Sequence, residues 1–191
     1  MKFTQDWFSH NINNFQTIKK ELGSIPRILE IGCFEGRATC WMLENMLDTD
    51  GSIYVVDTFK GSDEHKDLDM SAVRDTFNAN IDETRKDTQG VFVFEKTSYE
   101  ALGSLIFDKL YGYFDFIYID GSHRAPDVLT DACMAFGLLK SGGIMLFDDY
   151  MWMAQPGILN QPKIAVDTFS TVFSDQCAVR MVGYQCAVQK L

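Results

Sequence analysis

The chain has 191 residues, of which 46% are hydrophobic and 23% charged, and its formal net charge is −10. That length and composition fit one globular domain over residues 1–191, with residues 1–25 as an N-terminal helical extension. The acidic balance argues against nucleic acid as a partner, and no apolar run is long enough to cross a membrane. Because no signal peptide is recognisable at the start, we expect a cytoplasmic protein.

Short apolar runs alternate with helix-like stretches, which is typical of a doubly wound, mostly parallel α/β sheet with helices on both faces. An opening amphipathic helix is predicted over about residues 5–22. Strands are predicted over residues 27–32, 52–57, 91–95, 114–120 and 142–150. Helices are predicted over residues 37–47, 70–86, 98–110, 125–139 and 164–173. Two β-rich runs around Gly183 predict a closing antiparallel hairpin, which completes seven strands.

The cysteines are odd in number and include no CxxC pair. Such a set indicates reduced thiols and not zinc ligands or disulfides. We therefore expect five buried thiols, at Cys33, Cys40, Cys133, Cys177 and Cys186.

The turn after the first strand carries two glycines, in the sequence EIGCFEG from Glu30 to Gly36. A dinucleotide fingerprint beginning at Gly32 needs glycines where this chain has Phe34 and Arg37, so NAD and an oxidoreductase fit poorly. The remaining spacing, an acidic residue followed by G-x-x-x-G, suits a cofactor without phosphates.

Asp57 ends the second strand, where a carboxylate can accept hydrogen bonds from both hydroxyls of a ribose. Taken alone, a strand-ending aspartate is also a common turn former or helix cap. In combination with Gly32 and the strand order, Asp57 predicts a ligand that contains adenosine.

Three carboxylates follow two neighbouring strands of the predicted sheet. Asp120 ends the fourth strand, and Asp148 and Asp149 end the fifth, so they converge on one rim beside the glycine turn. Hard oxygen ligands favour magnesium, calcium or manganese over zinc. The alternative is that these aspartates only shape turns.

Other residues of the same rim are candidates for the acceptor site. Phe59, Tyr150 and Trp152 are expected to wall a substrate pocket, with ordinary aromatic packing as the alternative. Residues 59–69 and 151–162 are predicted to be mobile loops that close over the substrate. His10 and His65 are interpreted as surface residues.

These motifs resemble class I methyltransferases, most closely the catechol O-methyltransferase-like and macrocin/cephalosporin-type O-methyltransferase groups. The resemblance covers roughly residues 27–191 and is strongest in DFIYIDGSH and LLKSGGIMLFDDY. It implies S-adenosylmethionine as cofactor, with Glu30, Gly32 and Gly36 around the methionine end. It further implies Asp57 on the ribose, Ser98 on the adenine and Asp120 beside the cofactor.

The resemblance also implies that Asp120, Asp148 and Asp149 bind a divalent cation, usually magnesium, and that His123 is the catalytic base. The catechol enzymes have a lysine in place of His123 and an amide residue in place of Asp149, which argues against a catechol substrate. We therefore predict a divalent-metal-dependent O-methyltransferase for a small hydroxylated molecule such as a sugar, polyketide or phenol. A metal-independent methyltransferase for a nitrogen or carboxylate acceptor, and a non-catalytic S-adenosylmethionine-binding module, remain alternatives. Assembly into a homo-oligomer stays open.

Overall fold

The computed structural model describes residues 1–62 and 65–191. Its strands are β1 (Arg27–Ile31), β2 (Ser52–Val56), β3 (Gly90–Phe94), β4 (Phe114–Ile119), β5 (Leu139–Phe147), β6 (Cys177–Val182) and β7 (Cys186–Lys190). Its α-helices are α1 (Ile12–Leu22), α2 (Arg37–Asn45), α3 (Val73–Thr84), α4 (Ser98–Phe107), α5 (Ala125–Leu138) and α6 (Pro162–Val172).

The seven strands form one sheet in the order β3-β2-β1-β4-β5-β7-β6. Strands β1 to β5 pair in parallel, whereas β7 runs antiparallel to both β5 and β6. The predicted Rossmann-like sheet of seven strands with a C-terminal antiparallel hairpin is therefore confirmed. Because the strand order reverses between β1 and β4, a cleft opens beyond the carboxyl ends of these two strands.

Apolar residues cover both faces of the sheet and form two cores. One core joins the sheet to α4, α5 and α6, and the other joins it to α1, α2 and α3. Strand β4 is buried along its whole length, as expected for a central parallel strand. Helix α4 begins at a capping box between Thr97 and Glu100, and α5 and α6 begin with a proline in the first turn.

The prediction of a helix over residues 5–22 is wrong in its first part. A 3-10 turn occupies Ser9–Asn11, and α1 begins only at Ile12. Residues 1–8, which we call the N-terminal strap, lie across α2 and α3 instead. Thr4 donates its backbone N–H to Glu35 Oε2 at 2.6 Å, and Asp6 accepts the backbone N–H of Ser9 at 2.9 Å. Such side-chain to backbone hydrogen bonds compete with helix formation.

Smaller corrections concern other element boundaries and one cysteine. Helix α3 begins at Val73 and not at residue 70, and β5 begins at Leu139 and not at residue 142. Cys133 is exposed on α5, whereas the other four cysteines are buried thiols as predicted. Within the described residues, no helix has the length and apolar character needed to cross a bilayer.

Candidate active site

A cavity of about 910 Å³ opens at the carboxyl ends of β1, β2, β4 and β5. Its walls contain all but one of the predicted cofactor, metal and catalytic residues: Glu30, Gly32, Asp57, Ser98, Asp120, His123, Asp148 and Asp149. Gly36 is the exception, since it lies behind the cavity at the start of α2. The sheet topology therefore brings the predicted cofactor, metal and catalytic residues into one cleft.

Gly32 lets the β1 turn approach the end of β4 more closely than any side chain allows. Its φ is +84°, and a Cβ atom at this position would lie 1.9 Å from the backbone oxygen of Asp120. Gly36 has a φ of +81°, and a Cβ there would lie 2.8 Å from the ring of Phe77. Both glycines are thus required by the backbone, and Gly32 places Asp120 directly beside the turn.

Asp57 connects the end of β2 to the glycine turn. Its Oδ2 accepts the backbone N–H groups of Cys33 at 2.8 Å and Phe34 at 2.9 Å, and its Oδ1 accepts that of Phe59 at 2.7 Å. The carboxylate also lines the cavity. A carboxylate offers about four acceptor sites, so these bonds leave capacity for a further donor. The predicted ribose contact remains a prediction.

Glu30 is fully buried in β1 and lines the cavity. Its Oε2 accepts the hydroxyl of Thr39 at 2.5 Å, whereas its Oε1 has no hydrogen-bond partner among the described residues. Burial raises the pKa of Glu30 to about 8, against the opposing hydrogen bond from Thr39. A buried oxygen without a partner at a cavity wall fits a polar ligand that supplies the missing hydrogen bond.

Ser98 lies at the first position of α4 and faces a buried carboxyl group that the sequence analysis missed. Asp131 on α5 is 3% exposed and lines the same cavity. Burial raises the pKa of Asp131 to about 6, although a hydrogen bond from Ser98 opposes this shift. The sequence pattern of residues 125–139 predicts a helix, but it does not indicate that Asp131 faces the cavity.

Three side chains of the β4 and β5 ends bring potential metal-ligating atoms together. One such atom each from Asp120, His123 and Asp149 lie within 4.8 Å of one another. His123 Nε2 is 2.7 Å from Asp149 Oδ2. Two carboxylate oxygens and one imidazole nitrogen are a donor set that suits a divalent cation.

Burial and neighbouring charges shift the pKa values of the carboxylates in this cluster. Burial raises the pKa of Asp120 well above its usual range, and the charges of Asp148 and Asp149 raise it further. Burial alone would also raise the pKa of Asp149, but hydrogen bonds from His123 and Tyr184 bring it below its usual value. Carboxylates at this separation retain protons or bind a cation, since they repel one another when all are ionised.

Asp148 lies outside this group of three, because its carboxylate is turned towards protein donors. Asn11 Nδ2 lies 3.3 and 3.2 Å from its two oxygens, the backbone N–H of Asp149 donates to Oδ1 at 2.8 Å, and Tyr118 donates its hydroxyl to Oδ2. Tyr118 also contacts Asp120 at 3.0 Å. Asn11 and Tyr118 hold the Asp148 carboxylate in place, a role that their sequence positions do not indicate.

Of the predicted aromatic walls, only Trp152 lines the cavity, where its ring lies 4.5 Å from that of His123. Phe59 is buried and packs 5.3 Å from the ring of Phe77 instead. Tyr150 is buried and donates its hydroxyl to Asp167 at 2.8 Å, on α6. The expectation that Phe59 and Tyr150 wall the pocket is therefore wrong.

Mobility and closure over the substrate remain predictions for both loops. Residues 59–69 include positions 63 and 64, which lie outside the described residues, so the mobility of that loop remains a prediction. Residues 151–162 contain a short 3-10 turn at Ile158–Asn160, and Met153, Ile158 and Leu159 are exposed there. His10 is exposed, as predicted, whereas His65 is half-buried, and both line the cavity.

A comparison with known proteins identifies the family of the chain. Residues 29–150 match the methyltransferase domain family. An uncharacterized protein of Acanthamoeba polyphaga mimivirus is 26% identical over 122 residues, which are 64% of this chain and 50% of that protein. The chain thus spans about half the length of this curated relative.

Solved structures are similar to the whole fold. The O-methyltransferase from Bacillus cereus in complex with SAH has a TM-score of 0.71 at 19% identity, covering 98% of this chain and 84% of that one. The O-methyltransferase TomG from Streptomyces achromogenes, involved in tomaymycin synthesis and in complex with SAM, has a TM-score of 0.65 at 16% identity, covering 93% and 79%. At such identities the likeness establishes the fold.

The family match covers most of the chain, from the β1 strand to the end of the β5 rim. The chain therefore belongs to the methyltransferase domain family. Together with the sheet order, this confirms the class I methyltransferase that the sequence motifs indicate.

Proposed function

We propose that the chain transfers a methyl group from S-adenosylmethionine to an oxygen of a small hydroxylated molecule. One observation carries this proposal: the His123–Asp149 pair, Asp120 and the glycine turn of β1 line a single cavity. A methyl donor and an acceptor hydroxyl can be held in line there, with a base beside the hydroxyl. The neighbours from Bacillus cereus and Streptomyces achromogenes, named O-methyltransferases and bound to SAH and SAM, support the same chemistry.

The cofactor half of the site fits S-adenosylmethionine, whose sulfonium supplies the activated methyl group. Asp57 accepts the ribose hydroxyls with its remaining acceptor capacity. The unpartnered Oε1 of Glu30, beside Gly32, binds a polar group of the methionine end. Ser98, with Asp131 behind it, contacts the adenine edge. Gly36 contributes indirectly, since it allows α2 to begin directly behind the turn.

The residues around His123, which form the acceptor half of the cavity, remove the proton of the acceptor hydroxyl. Asp149 holds the imidazole of His123 at 2.7 Å and stabilises it when it becomes charged. Imidazole is the side chain whose ordinary pKa lies nearest to neutral pH, which suits it to accept a hydroxyl proton. His123 therefore acts as the general base, and the Trp152 ring beside it forms one wall of the acceptor pocket.

A divalent cation, such as magnesium, is the second element of the proposal. Asp120 and Asp149 would hold it, with His123 as the third ligand or as the base beside it. Asp148, the remaining residue of the predicted set, would join only by exchanging the hydrogen bonds from Asn11 and Tyr118. The cation would lower the pKa of a coordinated acceptor hydroxyl and orient it. The 2.7 Å contact between His123 and Asp149 also supports an alternative, in which the pair deprotonates the acceptor without metal.

The test combines calorimetry with S-adenosylhomocysteine and a methyl-transfer assay over phenols, catechols and sugars, with magnesium or with a chelator. We expect cofactor binding, transfer to a hydroxyl acceptor, and a magnesium-dependent rate that is lost in Asp120→Asn and Asp149→Asn. The exposed Asp87→Asn is the matched control. Equal rates with magnesium and chelator establish the metal-free alternative. Binding without transfer over the whole panel indicates a non-catalytic module.

A further inference from the structure

The N-terminal strap forms one wall of the cavity, although it precedes the sheet and carries no recognised motif. Five of its residues line the cavity: Phe3, Gln5, Asp6, Trp7 and Phe8. The cavity is therefore shaped by residues that lie outside the strand ends where cofactor residues of α/β folds are usually sought.

Buried polar side chains of the fold hold the strap in place. Glu35 is 4% exposed and accepts the backbone N–H of Thr4 at 2.6 Å and the hydroxyl of Thr4 at 2.9 Å. Asn80 is 2% exposed and binds both the backbone N–H and the carbonyl oxygen of Lys2, at 2.7 and 2.8 Å. Ordering a terminal segment costs about 1–2 kcal/mol per residue in backbone entropy, and these bonds offset that cost.

The strap brings the indole of Trp7 over the glycine turn. The ring of Trp7 lies 5.0 Å from that of Phe34 and 5.5 Å from that of His65. Phe34 is held in a left-handed conformation with a φ of +49°, and its N–H donates to Asp57 at 2.9 Å. Trp7 is nevertheless 48% exposed, so a large aromatic surface at the cavity wall is available for contact.

We propose that Trp7 is a cofactor-binding residue and that the strap slows release of the bound cofactor. This inference rests on the proposed function. Trp7 lies in the cofactor half of the cavity and not in the acceptor half. Its partner Phe34 belongs to the glycine turn that Asp57 holds, whereas His123 and Trp152 lie in the acceptor half. A cofactor seated on the glycine turn buries the exposed indole surface, and its departure requires the strap to move.

The experiment measures binding of S-adenosylhomocysteine by calorimetry and its dissociation rate by stopped-flow displacement. Trp7→Ala is expected to weaken binding about tenfold, through a faster dissociation rate, as is usual for an aromatic anchor in a binding site. Trp7→Phe retains a ring and is expected to lose less than threefold. Because Trp7 is half exposed, neither variant should unfold the chain, which a thermal melt verifies.

A second variant tests whether the strap acts through Trp7. Thr4→Val removes the hydroxyl bond to Glu35 and is expected to raise the dissociation rate in the wild-type background, but to add little to Trp7→Ala. The matched control is Thr17→Val, because Thr17 is an exposed residue of α1 whose hydroxyl bonds only locally to Asn13. Its dissociation rate should equal that of wild type.

The outcomes separate the two proposals. If wild type does not bind S-adenosylhomocysteine, the proposed function fails. If wild type binds but Trp7→Ala has the same affinity and dissociation rate, the role of Trp7 is refuted while the proposed function stands. Additive effects of Thr4→Val and Trp7→Ala would overturn the coupling between the strap and Trp7.

Discussion

Replacing Asp57 by asparagine separates two roles of one carboxylate, support of the glycine turn and binding of a ribose. In the wild type, Oδ2 accepts two backbone N–H groups, from Cys33 and Phe34, and Oδ1 accepts one from Phe59. An asparagine carbonyl oxygen can take the place of Oδ2 and retain the first two bonds. Its NH₂ group then faces the N–H of Phe59, and two donors oppose each other.

The expected loss follows from these contacts. Losing a hydrogen bond to a charged acceptor costs about 1.5–3 kcal/mol, so we expect a decrease of about 2 kcal/mol in the free energy of unfolding. For a chain of this size, that corresponds to a Tm lower by about 4–8 °C. If the same carboxylate accepts the ribose hydroxyls, the affinity for S-adenosylhomocysteine should fall in addition by about 30-fold.

Differential scanning calorimetry and titration calorimetry measure the two effects on the same preparation, and Asp87→Asn, an exposed loop change, serves as the control. An unchanged Tm would refute the structural part of the reasoning. A lower Tm with unchanged affinity, measured well below both melting temperatures, would restrict Asp57 to support of the turn and move the ribose elsewhere.

Three further changes test separate parts of the site. Burial raises the pKa of Glu30 from 4.5 to about 8, so the folded chain retains a proton there that the unfolded chain releases, and stability should fall as the pH rises through this window. Glu30→Gln should remove that decline, so the Tm of the variant should exceed that of wild type by more at pH 8 than at pH 5. An equal difference in Tm at both pH values would contradict a neutral Glu30. Gly32→Ala places a Cβ 1.9 Å from the backbone of Asp120 and should cost about 3 kcal/mol or more, whereas Gly103→Ala, on α4 with open space around it, should be neutral or stabilising in the same urea titration. His123→Ala should lower the methyl-transfer rate about 100-fold with unchanged cofactor affinity, and a loss below about threefold with an unmoved pH profile would leave His123 without a catalytic role.

The sheet and the first turn were predictable because local sequence carries their physical cause. The apolar runs that become β1 and β4 are buried on both faces, whereas β2 is only partly buried on one face, and a helical pattern follows each one. Gly32 and Gly36 were predictable as turn residues, since both adopt the left-handed backbone that glycine tolerates. What these signals specify is the order of elements, and the order alone brings the strand ends together.

The different contacts of Asp148 and Asp149 were not predictable, because they depend on the direction in which each side chain points from the backbone. Asp149 adopts a left-handed φ of +52° after the end of β5, and its carboxylate meets His123. Asp148, one residue earlier, turns inwards to Asn11 and Tyr118. In the sequence, both aspartates simply follow β5 and are equivalent candidates for the metal site.

The position of the N-terminal strap was not predictable either, for a different reason. Its anchors, Glu35 and Asn80, lie 31 and 78 residues away from their partners in sequence, so no local pattern reports them. The helical periodicity of residues 5–22 was real only from Ile12 onwards. Before that point, Asp6 accepts the backbone N–H of Ser9 and the carbonyl oxygen of Gln5 accepts a hydrogen bond from Arg37, and these bonds compete with a helix. The dense aromatic content of this segment, with Phe3, Trp7 and Phe8, was the one available hint of packing.

Because hydrogen bonds near Asp148 join both ends of the chain, the active site can form only late in folding. Asn11 reaches Asp148 across 137 positions of sequence, and Asn14 donates to Gln185 at 2.9 Å across 171 positions. Gln185 lies beside the β5 rim, because the next residue, Cys186, pairs with Phe147 at the end of β5. During synthesis, the rim of β5 therefore cannot adopt its final arrangement until nearly the whole chain has left the ribosome. Loosening of either terminus should distort the rim while the central strands remain paired, so that heat or denaturant abolishes catalysis before the circular dichroism of the sheet changes.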